Sequence, residues 1–158
     1  MQKKDAIEKL FSISLKIRIF REWQTAKTAS DKEFSEREII TLELINVFDK
    51  IAITEKKLSM IFGLTPSSVT DIAKRLISYG LIEKEVDEKD VTRGKALRIT
   101  KKGKEQIKQF KIAGTARYAY LFTKIKDEEV NLLFNLLTSI DEAATDAIKK
   151  NIFDIWSE

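Results

Sequence analysis

Hydrophobic and polar positions divide the chain into long segments with few interruptions: Pro66 is the single proline, and there are five glycines. So few breakers predict long helices. In the first segment, Lys3 to roughly Lys27, Phe11, Ile13, Leu15, Ile17 and Ile19 alternate with polar residues as a strand would. Leu10, Ile13, Ile17 and Phe20 also recur at helical 3-4-3 spacing. No glycine or proline bounds a short strand there, so length selects the helix. Apolar residues lie nearly all round that helix, which requires more than one covering neighbour.

Three helix starts follow with the same local chemistry. Ser35 can cap a helix, with Glu38 completing a capping box and Phe34 and Ile39 in staple positions. Thr54 can cap the next, with Ile53 and Leu58 as staple. Thr65 can cap a third, with Leu64 and Val69 as staple and Pro66 at the first helical position, where its missing N–H does no harm. Gly63 closes Glu55–Phe62 and Gly80 closes Pro66–Tyr79, each where a left-handed residue is wanted. The period then changes. Ile82 and Val86 against Glu83 and Glu85, and later Leu97 and Ile99, read as two strands joined by the polar loop Asp87–Lys95. Thr100 starts another helix, to about Phe122.

The last segment, Asp127 to about Trp156, is the clearest helix. Acidic Asp127, Glu128 and Glu129 suit its start, and Lys149 and Lys150 its end. Val130, Leu133, Leu137, Ile140, Ala144 and Ala147 form a seam for another helix. Leu132, Phe134, Leu136, Ile148, Ile152, Phe153 and Trp156 fall largely outside it, so more than one partner helix is expected. Trp23 and Trp156 read as core or interface anchors.

Composition narrows the chemistry. The 158 residues are 43% hydrophobic, enough for a core, and carry a net charge of +4. The excess is concentrated: Thr54 to Lys104 holds 12 Lys/Arg against 7 Asp/Glu, the remainder 17 against 18. Concentrated basic charge is the footprint of a surface that faces phosphates. With no cysteine and no histidine, disulfides, thiolate nucleophiles, the usual zinc ligand sets and His-based acid–base catalysis are excluded. Glu83, Glu85, Asp87 and Glu88 crowd one hairpin as a solvated edge, not a catalytic pair. No enzyme, cofactor or metal site is expected. Met1 to Leu10 lacks the apolar stretch of a signal peptide, and no segment is long and apolar enough to span a bilayer. A cytoplasmic protein without membrane association is expected.

A short helix, a tight turn through Gly63-Leu64-Thr65, a second helix and a charged hairpin form a winged helix-turn-helix. The second helix opens Thr65-Pro66-Ser67-Ser68-Val69-Thr70, small hydroxyl residues that can approach a groove closely. Its first-turn N–H groups favour a phosphate. Lys74 and Arg75 follow, while Ile72, Ala73, Leu76 and Ile77 supply a buried face. The same Ser67, Ser68 and Thr70 would also suit plain first-turn caps, and Lys89, Arg93 and Lys95 any solvated loop. Lys101, Lys102 and Lys104 suit solvent equally well.

From Phe34 to Gly103 the chain resembles the multiple antibiotic resistance regulator (MarR) family of winged-helix repressors. The resemblance is carried by Leu58-Ser59-Met60-Ile61-Phe62-Gly63-Leu64-Thr65, Ser67-Ser68-Val69-Thr70 and Arg75-Leu76-Ile77-Ser78-Tyr79-Gly80-Leu81-Ile82. In the wing it runs through Arg93, Leu97, Arg98, Ile99, Thr100 and Gly103. It implies a mainly α fold with a small antiparallel β wing: an N-terminal dimerisation helix and linker (1–34), a winged helix-turn-helix (35–104) and C-terminal dimerisation helices (105–158). It further implies a triangular homodimer that binds double-stranded DNA and represses transcription, and it admits a small-molecule effector. Carried over, the DNA contacts are Ser67, Ser68, Thr70, Lys74, Arg75, Lys89, Arg93 and Lys95. Dimerisation falls to Ile13, Ile17, Phe20, Leu133, Leu137, Ile140, Ile152 and Trp156. Two positions depart from the family: Asp90 stands three residues before Arg93 instead of two, with Val91 in its place, and Asp71 replaces a commonly basic residue. The rival reading is a winged-helix module that binds protein and not DNA.

Overall fold

The computed structural model describes residues 3–27, 34–50, 53–85 and 95–156, with side chains left out at 22–27, 117 and 151–156. By internal contacts the chain separates into Met1–Glu36 and Arg37–Glu158.

The first unit is dominated by helix α1, Lys3–Lys27. The strand-like alternation within it is not realised; the 3-4-3 period is. Ile7, Leu10, Phe11, Ile13, Leu15 and Ile19 are exposed on it, while Ile17 and Phe20 are half-buried. An apolar helix left this open asks for cover.

In the second unit α2 (Glu36–Val47) leads to β1 (Ile53–Thr54), α3 (Glu55–Phe62) and α4 (Pro66–Ser78). Strands β2 (Ile82–Glu85) and β3 (Ala96–Ile99) follow, then α5 (Lys101–Tyr118), a 3-10 turn (Ala119–Phe122) and α6 (Asp127–Trp156). The caps at Thr54, Thr65 and Thr100 form where the sequence puts them. The Thr54 hydroxyl accepts from the Lys57 N–H at 3.3 Å, the Thr65 hydroxyl from Ser68 at 3.3 Å, and the Thr100 hydroxyl from Gly103 at 3.0 Å. Gly63 at φ 60 and Gly80 at φ 70 occupy the left-handed region that a side chain would resist. Beyond them the Leu64 N–H bonds back to Ser59 and the Leu81 N–H to Leu76, satisfying the last carbonyls of α3 and α4.

The sheet differs from a plain hairpin. It has three strands in the order β1-β3-β2, with Ile53 opposite Leu97 on one side and Lys84 opposite Leu97 on the other, both antiparallel. A two-residue strand shows no alternation, and Ile53-Thr54 carries its sequence signal as staple and cap instead. Among the described residues the core of this unit includes Leu42, Ile45, Phe48, Ile53, Leu58, Val69, Ala73, Leu76, Leu81, Ile82, Leu97 and Ile107.

The start of α5 is fastened to the end of α4. The Thr100 hydroxyl donates to the carbonyls of Gly80 (2.7 Å) and Leu81 (3.1 Å), and Lys102 Nζ donates to the Tyr79 carbonyl at 2.7 Å. A Cβ on Gly103 would overlap the Leu81 carbonyl and come within 2.8 Å of Ile99 Cγ1. Only glycine lets this helix approach so closely. Helix α6, by contrast, has no buried residue among those described, with Leu132 64% and Phe134 67% exposed.

Candidate nucleic-acid interface

Helix α4 is divided lengthwise by its burial. Val69, Ala73 and Leu76 form the inward stripe at 4-3 spacing, and Ser67, Ser68, Asp71, Lys74, Arg75 and Ser78 are exposed. At 100° per residue Thr70 and Arg75 fall on opposite sides of that stripe, roughly 95° and 125° from its centre, with Lys74 roughly 135° and Ser67 roughly 155° away on the Thr70 side.

The leading hydroxyls form a connected set. Thr65 Oγ1 lies 2.8 Å from Ser68 Oγ and 3.1 Å from Ser67 Oγ. Since the same Thr65 oxygen accepts the Ser68 N–H, its own proton can go to only one of the two serines. The set therefore retains both donor and acceptor capacity toward an approaching phosphate or base edge. Ser67 and Ser68 thus stand where a groove could reach them.

Each flank of α4 is tied to a carboxylate. On one, Thr70 donates its hydroxyl proton to Glu55 Oε2 at 2.8 Å, and Lys84 Nζ from β2 lies 2.5 Å from Glu55 Oε1. Burial pushes the Glu55 carboxyl up, but the hydrogen bonds from Lys84 and Thr70, with the charges of Lys84 and Lys74, outweigh it and hold it below its usual 4.5. On the other flank Arg75 Nε lies 2.9 Å from Oε1 of Glu38, whose side chain is 5% exposed, and the guanidinium lies 5.9 Å from the Tyr79 ring centre. Arg75 and Thr70 are therefore committed to the protein's own side chains, unlike the open contacts that the sequence suggested. A buried carboxylate demands a partner, and Arg75 supplies it.

Neither Glu55 nor Lys84 stands out in the sequence as part of the site, and Glu38 reads there only as a capping residue. One signal was present: Glu38 stands at i, i+3, i+4, i+7 spacing with Thr41, Leu42 and Ile45, and all are buried. A charge in an apolar stripe implies a buried ion pair. Glu55 leaves no such mark, because its partners lie 15 and 29 residues away in sequence.

In the wing, Lys95 is exposed just before β3. Lys89 and Arg93, with Asp90 and Val91, lie outside the described residues. Behind the wing, Arg98 Nε pairs with Glu85 Oε2 at 2.6 Å and its NH1 donates to the Asp49 carbonyl; Lys104 reaches Asp49 Oδ2 at 3.3 Å. These contacts brace β2 and β3 against the end of α2. Of the residues assigned to dimerisation, Ile13, Leu137 and Ile140 are exposed, and Ile17, Phe20 and Leu133 half-buried. The side chains of Ile152 and Trp156 are outside the described set. A largely apolar hollow of about 640 Å³ lies along α5 and the 3-10 turn, lined by Lys111, Gly114, Thr115, Tyr118, Ala119 and Phe122. No helix among the described residues is long and apolar enough to cross a membrane.

The strand order, the two-helix unit and the flanking helices define a winged helix-turn-helix protein. Residues 34–91 match the model of the MarR family. The chain is similar in structure to a MarR family protein from Bacillus stearothermophilus (17% identity, 92% of this chain and 99% of that one, TM-score 0.61). It also resembles the Streptococcus pneumoniae FabT in complex with DNA (24% identity, 92% and 99%, TM-score 0.52). A third is the S. aureus MepR–DNA complex (17% identity, 84% and 95%, TM-score 0.54). At these identities the likeness is one of fold. Among curated protein sequences none matches the chain.

Proposed function

We propose that this chain is a transcriptional regulator that binds specific double-stranded DNA as a homodimer and represses transcription from the cytosol. The observation that carries the reading is the outer face of α4, where Ser67, Ser68 and Lys74 are exposed opposite a fully buried stripe. It stands on a fold shared with proteins seen in complex with DNA. Ser67, Ser68 and Lys74 would meet the major groove, and Lys89, Arg93 and Lys95 the backbone and the neighbouring minor groove. Thr70 and Arg75 hold that face in position from its flanks. Chemistry without a nucleic acid has little support: no cysteine or histidine is available, and the basic surplus surrounds α4 and the wing.

The exposed apolar residues of α1 and α6 support dimerisation, since two copies would remove them from water at once. The hollow along α5, lined by Lys111, Thr115 and Tyr118 beside apolar groups, offers a site to an organic effector. Occupying it would alter the spacing of the two α4 helices.

The test is gel-shift titration against genomic fragments at several salt concentrations. Wild type should retain a subset of fragments, more weakly as salt rises. Ser68→Ala should reduce discrimination between fragments, and Arg93→Ala should weaken binding to all of them. Absence of duplex binding at low salt would transfer the chain to the protein-interaction reading.

A further inference from the structure

We infer that Glu55 is a specificity-determining positioning residue, which keeps Lys84 and the Thr70 hydroxyl off the nucleic acid and so suppresses indiscriminate phosphate binding. The inference rests on the DNA-binding reading above. Its basis is geometric. Glu55 is the first residue of α3, beside its Thr54 cap, yet its side chain reaches two other elements: Thr70 in α4 at 2.8 Å and Lys84 in β2 at 2.5 Å. One carboxylate thus joins the first helix of the helix-turn-helix, the second helix and the strand that leads into the wing. Its own side chain is 25% exposed and that of Lys84 36% exposed, so the pair is partly shielded from water and salt.

The arrangement runs against what affinity alone would favour. Lys84 lies on the strand entering the basic wing, where an uncommitted ammonium would neutralise a phosphate of any sequence. Glu55 cancels that charge and acts on Lys74 as well. The Thr70 proton is directed at the carboxylate, so the residue offers a duplex an acceptor oxygen and a methyl group in place of a hydroxyl donor. What remains outward is the Ser67–Ser68 face. A reader whose adjoining charges are neutralised depends more on base edges, because backbone contacts carry no sequence information.

The experiment is fluorescence anisotropy on the full-length chain, with a fragment retained by wild type and a scrambled duplex of equal length, each across a KCl series. Glu55→Gln removes the charge and keeps the shape. The scrambled duplex should bind more tightly by on the order of five- to tenfold near 0.1 M salt, and the salt slope should steepen by about 0.9, the worth of one added phosphate contact. The preference for the retained fragment should fall by a similar factor. Adding Lys84→Met to Glu55→Gln should return the slope to that of wild type. A merely structural role would weaken both duplexes together and leave the slope alone.

Lys84→Met by itself keeps the idea testable should Glu55→Gln fail to fold. With Lys84 already held by Glu55, the slope of that variant should equal that of wild type. A slope shallower by about 0.9 would mean that Lys84 already meets a phosphate, and the inference falls. A folded Glu55→Gln with unchanged slope and unchanged preference overturns it equally. Should wild type bind no duplex, the DNA-binding reading itself fails and takes this one with it.

Discussion

Arg75 and Lys74 are neighbours on α4, both basic and both exposed, yet their surroundings separate their roles. Arg75 is paired with buried Glu38, whereas Lys74 lies on the other side of the stripe, close enough to Glu55 for their charges to interact. Arg75→Ala would leave Glu38 without that partner and should lower stability by about 1–2 kcal/mol, less than for a fully buried pair because Arg75 is half exposed. Urea denaturation reads this directly. Lys74→Ala should leave stability within about 0.5 kcal/mol and make the salt dependence of DNA binding shallower by about 1. If the two variants exchange these effects, the assignment of the flanks is wrong. Glu55 also has a pH signature. Its carboxyl is held below the value of an unfolded chain, so its stabilisation is present above that value and is lost as pH falls through the folded one. In acid titrations Glu55→Gln should therefore flatten the stability curve below about pH 4.5, and an unchanged curve would contradict the pairing with Lys84 and Thr70.

Elements with strong local signals are legible in the order of residues alone. The Thr54, Thr65 and Thr100 caps and the Gly63 and Gly80 stops are chemistry within a few residues, and each forms at its expected place. Strand β1 is not legible in that way, because two residues carry no period and its partner lies more than 40 positions away. The flank carboxylates escape for a related reason: they are defined by tertiary contact and not by spacing. Gly103 stands in a recognisable helix start, but its cause is visible only in three dimensions, where α5 meets the Leu81 carbonyl. Gly103→Ala should accordingly destabilise by about 1–3 kcal/mol by overpacking, measured by chemical denaturation. A neutral result would mean that α5 can shift without loosening its hold on α4.

At the scale of the whole molecule, the core lies in the winged helix, and the long helices at each end leave their apolar residues uncovered. Leu137 and Ile140 are nearly half exposed on α6, and Ile13 likewise on α1. Light scattering should give twice the 18.2 kDa chain mass, and Leu137→Glu with Ile140→Lys should reduce it to the single mass. If paired α4 helices enter one duplex, hydroxyl-radical footprinting on a fragment retained by wild type will register both of them. Two protected patches are expected, centred about 34–36 Å apart along the helix axis and both diminished by Lys74→Ala. A single patch, protection without a defined register, or protection untouched by Lys74→Ala would contradict it.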